Sequence, residues 1–205
     1  MLYFYGGAVY GGPVQHSQLQ KWVCAMITVH FMKRELETLF VHRFSHATMP
    51  WYNIFKNSAH YWITSGFALA YPLYGPTYAA DSPYIKSTIH DDPRFIYACF
   101  ALFVYAQISN FATHITLRNL RPPGTKRRAI PYGYGFTWLS FPNYWFEILA
   151  WGTIALLTGS YVSYIFLGSM LYQMGEWAIK KQRAYKKEFG KAYPPERKLM
   201  IPFIF

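Results

Sequence analysis

The chain has 205 residues, of which 53% are hydrophobic, 21% aromatic and only 14% charged. A soluble domain carries roughly 25% charged residues, and 17 Phe, 7 Trp and 19 Tyr exceed what a water-facing surface covers without large apolar patches. Disorder, a coiled coil and a secreted disulfide scaffold are excluded, the last by a count of two cysteines, and a net charge of +11 leaves nucleic acid, a phosphate-rich ligand or an anionic membrane face to be weighed.

In chain order, residues 1–20 carry no charge. No basic stretch precedes their apolar run, and Gly6-Gly7, Gly11-Gly12 and Pro13 interrupt it, so the segment reads as lipid- or partner-facing rather than as a signal peptide. Its glycines lack dinucleotide-fold spacing. From about Gln18 to Arg43 a predicted helix starts apolar, at Trp22 to Ile27, and becomes amphipathic after Lys33. Its Lys33, Arg34, Glu35 and Glu37 should therefore face a cavity or leave the membrane. Three stretches without Asp, Glu, Lys or Arg follow: 24 residues between Lys56 and Asp81, 23 between Arg94 and Arg118, and 28 between Glu147 and Glu176. A span needs about 20 mostly apolar residues. Thr158-Gly159-Ser160 predicts a turn that splits the last stretch into two packed helices.

The cations concentrate in two places. Residues 118–128 carry Arg118, Arg121, Lys126, Arg127 and Arg128 with no acid, and Lys180 to Lys198 hold eight basic residues against two acids. With the N-terminus outside, both clusters fall on the cytosolic or matrix face, as the positive-inside rule expects. They border the spans, and the aromatics lie within the spans rather than among the cations, so membrane lipid is the expected partner and nucleic acid is not.

Several polar groups could carry chemistry. His42 and His46 are four residues apart, as helical metal ligands are, but no second close pair accompanies them, and no metal is expected. Asn110, His114 and Arg118 form a stripe at spacings of four, with Arg121 at the same helix end. Asn143 and Glu147 repeat that spacing at the start of the next helix, and Lys181, Arg183 and Tyr185 lie in the final segment. Such donors could hold a pyrophosphate and a ribose phosphate without a dinucleotide fold, or form structural ion pairs at the membrane face. Taken alone, Tyr144 could be an interfacial anchor and Lys33 could snorkel.

The stretch Lys33 to Pro50 with Asn53 to Asn57, Leu117-Arg-Asn-Leu-Arg-Pro-Pro-Gly124, Ile130-Pro131, Pro142-Asn-Tyr144 with Glu147, Tyr185 to Phe189, Tyr193-Pro-Pro195 and Ile201-Pro-Phe-Ile-Phe205 together resemble the very-long-chain trans-2-enoyl-CoA reductases. Their wider relatives are the steroid 5-alpha-reductases, membrane enzymes that use NADPH. The resemblance covers about residues 20–205 and divides the chain into an apolar segment, 1–20, and a steroid 5-alpha-reductase-like membrane domain, 21–205. It implies an all-α polytopic membrane bundle of about four to six transmembrane helices. It also implies NADPH-dependent saturation of the 2,3 double bond of a long-chain enoyl-CoA in fatty-acid elongation, at the endoplasmic reticulum.

By the same resemblance Tyr144 is the proton donor and Lys33 its electrostatic partner or the stabiliser of the thioester enolate. Asn110, Arg121, Asn143, Glu147, Lys181, Arg183 and Tyr185 match cofactor positions, and Arg34 would assist at the substrate. Two positions depart from the pattern: His114 stands where steroid-reducing relatives carry an acid, and Phe31 replaces a tyrosine. Family reductases also carry an N-terminal ubiquitin-like region and at least one earlier span, so the chain reads as a shortened member. That shortness supports an alternative, a reductase-derived accessory subunit that packs with other membrane subunits, possible also in a mitochondrial inner membrane.

Overall fold

The computed structural model describes residues 2–43, 50–125 and 128–205. It is helical, and among the described residues there is no strand beyond two isolated bridges, His16 with Ala79 and Leu139 with Lys198. Two short helices, α1 (Leu2–Tyr5) and α2 (Gly7–Tyr10), precede α3 (Gln18–Leu36), which continues as a π-helical turn over Glu37–Val41. Next come α4 (Tyr52–Ala59), a π segment His60–Ala68 and α5 (Leu69–Leu73) in one unbroken run, then α6 (Pro93–Asn119), α7 (Pro142–Thr158) and α8 (Tyr161–Phe189). Pro93 and Pro142 each occupy the first helical position, where the missing N–H is no loss.

The chain divides into two compact units, and α3, α6, α7 and α8 each contribute a stretch to both. The first unit comprises Met1–Met32, Thr48–Phe103 and Trp151–Leu167. On α3 it buries Leu19, Val23, Met26 and His30, spacings of three and four that make one helix face. A reciprocal capping box starts that helix: the Gln20 amide N–H donates to Ser17 Oγ at 3.2 Å and the Ser17 N–H donates to Gln20 Oε1 at 3.1 Å. The predicted turn is present, with α7 ending at Thr158 and α8 starting at Tyr161. Gly159 has φ +59°, and a Cβ there would strike the Tyr84 hydroxyl, so both conformation and space require glycine. Beside it Tyr84 donates to the Thr158 carbonyl at 2.8 Å, and His90 Nδ1 lies 3.0 Å from the Leu157 carbonyl, satisfying acceptors that the end of α7 leaves open.

The second unit comprises Lys33–Ala47, Val104–Ala150 and Gly168–Phe205. Its core includes Phe136, Leu139, Phe141, Phe146, Tyr193 and Met200. The C-terminal tail lies against the segment before α7. Ser140 and Phe141 N–H groups donate to the Lys198 and Leu199 carbonyls at 2.8 and 2.9 Å, the Tyr193 hydroxyl donates to Ser140 Oγ at 2.8 Å, and buried Arg197 donates to the Pro131 carbonyl at 2.8 Å. These contacts give Ile130-Pro131 and Tyr193 to Phe205 a structural role: they brace the start of α7.

One helix among the described residues, α6, is long and apolar enough to cross a membrane, with 27 residues and a mean hydropathy of 1.5 in its most apolar window. At 1.5 Å per residue it extends about 40 Å. The α4–α5 run turns Phe55, Trp62, Ile63 and Phe67 outward, each more than half exposed, an apolar surface suited to lipid.

Candidate active site

The second unit gathers the C-terminal end of α3, the C-terminal half of α6, the first turns of α7 and most of α8, from Gly168 onward. Lys33 is the first anchor. Its ammonium donates to Asn110 Oδ1 at 2.6 Å and pairs with Glu37 Oε1, one helical turn along, at 2.9 Å. Asn110 is buried and fully engaged, for its Nδ2 donates to the Asn143 carbonyl at 2.9 Å and to Glu147 Oε2 at 3.3 Å. Lys33, Asn110, Asn143 and Glu147, chosen from the sequence, thus form one network across three helices.

Glu37 binds more cations than Lys33. Arg34 Nη1 pairs with its Oε2 at 2.9 Å, and His114 Nδ1 lies 3.0 Å from its Oε1. Its side chain is only 2% exposed. A carboxylate so deeply placed is tolerated because cations face both oxygens. His114, where steroid-reducing relatives carry an acid, therefore meets the carboxylate offered by α3's extension. Glu37 was absent from the sequence-derived site set, yet the sequence holds the signal: it stands four residues after Lys33 where the apolar helix turns amphipathic, the spacing of a same-face ion pair.

Ligand-type atoms of Glu37, His42 and His114 lie within 4.8 Å of one another, a two-histidine, one-carboxylate set. The ammonium of Lys33 and the guanidinium of Arg34 already occupy the carboxylate at 2.9 Å, and a divalent cation would have to displace them against their own repulsion. The cluster reads as an ion-pair hub. His46, the other half of the sequence-derived pair, lies outside the described residues, as do Lys126 and Arg127.

Tyr144, in the first turn of α7, is 9% exposed. The ammonium on its hydroxyl belongs to Lys181 of α8, with Nζ donating to the phenol oxygen at 2.6 Å and lying 5.0 Å from the ring centroid. Lys33 instead is held by Asn110 and Glu37. Arg121 follows α6, and its Nη1 donates to the Arg43 carbonyl while Arg43 Nη1 donates back to the Arg121 carbonyl. Arg183 is exposed on α8. Tyr185, beyond the charge-free stretch that ends at Glu176, stacks on Phe189 and lies tilted against Tyr193, with centroids 5.7 and 5.6 Å away, and burial holds its phenol above the ordinary value.

Two atoms of this set are buried without a partner among the described residues: Asn143 Oδ1, an acceptor, and Arg121 Nε, a donor. Unpaired buried polar atoms are costly in a folded protein, and both belong to residues the sequence reading assigned to a cofactor.

A family profile described as 3-oxo-5-alpha-steroid 4-dehydrogenase matches residues 47–205. The chain is 53% identical over 184 residues to a putative enoyl reductase of Schizosaccharomyces pombe, covering 90% of this chain and 59% of that protein. It is 39% identical over 204 residues to the very-long-chain enoyl-CoA reductase of Dictyostelium discoideum, covering 100% of this chain and 64% of the relative. A probable very-long-chain enoyl-CoA reductase of Caenorhabditis elegans is 36% identical over 184 residues, covering 85% and 56%. The chain thus spans less than two thirds of the length of these curated relatives. With the profile match extending over most of the chain, the protein belongs to the 3-oxo-5-alpha-steroid 4-dehydrogenase family.

Proposed function

We propose that the protein reduces the 2,3 double bond of a long-chain trans-2-enoyl-CoA with NADPH, as a polytopic membrane protein of about four to six spans in the endoplasmic reticulum. The single observation that carries the reading is the pairing of a buried phenol, Tyr144, with the ammonium of Lys181, in the same unit as the Lys33–Asn110–Glu147 network. The names of the relatives support the substrate class.

The unpartnered atoms fit a nicotinamide dinucleotide: Arg121 Nε–H suits a phosphate oxygen and Asn143 Oδ1 suits a hydroxyl or carboxamide donor. Arg183 adds phosphate charge and Tyr185 an aromatic wall, while Glu147 and Asn110 hold the Asn143 backbone in place. When bound, the dinucleotide supplies a hydride to C3 of the enoyl thioester. Lys33, fixed by Asn110 and Glu37, stabilises the negative charge that develops on the thioester oxygen, and Arg34 adds positive charge beside it. Tyr144 delivers the proton to C2.

The test is turnover by the purified full chain, followed as loss of nicotinamide absorbance with a long-chain 2-enoyl-CoA and confirmed by the saturated acyl-CoA product. Tyr144→Phe should lower kcat on the order of a hundredfold. Unchanged turnover in that variant removes Tyr144 from the chemistry, and an inert parent protein that still binds NADPH overturns the reductase reading.

A further inference from the structure

A phenol that protonates carbon must recover a proton in every turnover. Tyr144 is buried, so its oxygen has poor direct access to bulk water. Lys181 bridges that gap: its side chain is exposed, while its Nζ donates to the Tyr144 oxygen at 2.6 Å. The neighbouring Lys180 takes the Glu176 carboxylate at 3.6 Å, and among the described residues Lys181 makes no ion pair with an acid. Its proton is therefore directed at the phenol. Lysine suits this task because its ammonium can release a proton, whereas a guanidinium does not.

We propose that Lys181 is a proton-relay residue acting through Tyr144, rather than a ligand of the cofactor phosphates. This rests on the reductase reading. After the O–H bond of Tyr144 breaks and its proton forms the C2–H bond of the product, the phenolate takes a proton from Lys181 Nζ. The neutral amine left on Lys181 then takes a proton from solvent hydronium or a buffer acid, which is left as water or the conjugate base; this restores the ammonium beside the already restored phenol, with no change in oxidation state at either residue.

The relay predicts a separation that neither a structural nor a phosphate-binding role would produce. In Lys181→Arg and Lys181→Gln the single-turnover rate with enzyme in excess is retained within about threefold, because Tyr144 starts protonated, while steady-state kcat falls about tenfold to a hundredfold. NADPH affinity, read from quenching of tryptophan fluorescence, stays within about twofold. Added methylamine restores kcat in Lys181→Ala, and neither Lys181 substitution lowers activity further in a Tyr144→Phe background.

Weakened NADPH binding with normal kcat at saturation would assign Lys181 to the phosphates and overturn the relay. Full steady-state activity in Lys181→Arg, or equal losses in single and multiple turnover, would overturn it too. If the parent protein binds NADPH but leaves the enoyl-CoA unreduced, the reductase reading falls and the relay with it. That outcome is distinct from an active parent whose Lys181 variants behave normally.

Discussion

The two units bury polar groups in different ways. In the first, Gln20 is wholly buried, and its amide closes on nearby groups: Nε2 donates to the Leu73 and Gly75 carbonyls at 2.9 and 3.2 Å, while Oε1 accepts from the Ser17 N–H. Tyr84 and His90 likewise end on backbone carbonyls. In the second unit Lys33, Glu37, Asn110 and His114 bind one another through side chains, and Asn143 Oδ1 and Arg121 Nε have no partner among the described residues. Side chains closed on backbone fasten a fold, whereas charged groups held by one another beside open atoms are poised for a ligand. Arg197 sharpens the distinction: like Arg121 it has an unpartnered Nε and donates to a backbone carbonyl, that of Pro131, but its guanidinium also lies 4.7 Å from the Tyr132 ring centroid. An open atom marks a site only in company with others.

The largest expected effect follows from removing the carboxylate of the second unit. Glu37→Ala leaves Lys33, Arg34 and His114 facing one another without their shared anion. Breaking a buried pair by deleting one partner costs about 3 kcal/mol or more, so thermal unfolding should shift down by several degrees. Turnover should fall with it, because Lys33 loses one of its two fixed contacts. A midpoint equal to that of the parent would show that the cluster is held by solvent rather than by Glu37.

Next in size is a change in the first unit. Gln20→Leu leaves the Leu73 and Gly75 carbonyls without their donor and breaks the capping box. The expected cost is about 2 kcal/mol of stability, with NADPH affinity unchanged in the folded fraction. A parallel loss of affinity would break the division between a fastening region and a binding one.

Individual elements on each side of this division were legible in the sequence, and the reasons differ by residue. The turn at Thr158-Gly159-Ser160 was visible because glycine punctuates an apolar run, and the structure places the break there. Lys33, Asn110, Asn143 and Glu147 were legible as a set only through family resemblance, because their contacts join helices far apart in the chain. The partner of Tyr144 illustrates the same difficulty: resemblance implied Lys33, whereas the pairing with Lys181 is a tertiary contact that no local spacing encodes. Gln20 gave no functional signal, and its importance depends on two carbonyls more than fifty residues away.

The smallest effect is the most informative, because it should move binding and leave stability alone. Asn143→Ala removes an acceptor that has no partner among the described residues, while the Asn143 backbone carbonyl, which Asn110 uses, remains. Alanine is also the better helix former in the first turn of α7. The unfolding midpoint without ligand should therefore stay level or rise slightly. If Asn143 Oδ1 accepts a hydrogen bond from the dinucleotide, losing it costs about 1 kcal/mol, or roughly a fivefold rise in Kd. A single thermal titration reads both quantities, since stabilisation by ligand follows RT ln(1 + [L]/Kd): the two proteins should start together and separate as NADPH is added. Should Asn143→Ala start lower and gain as much from NADPH as the parent, Asn143 would belong with Gln20 among the residues that fasten the fold.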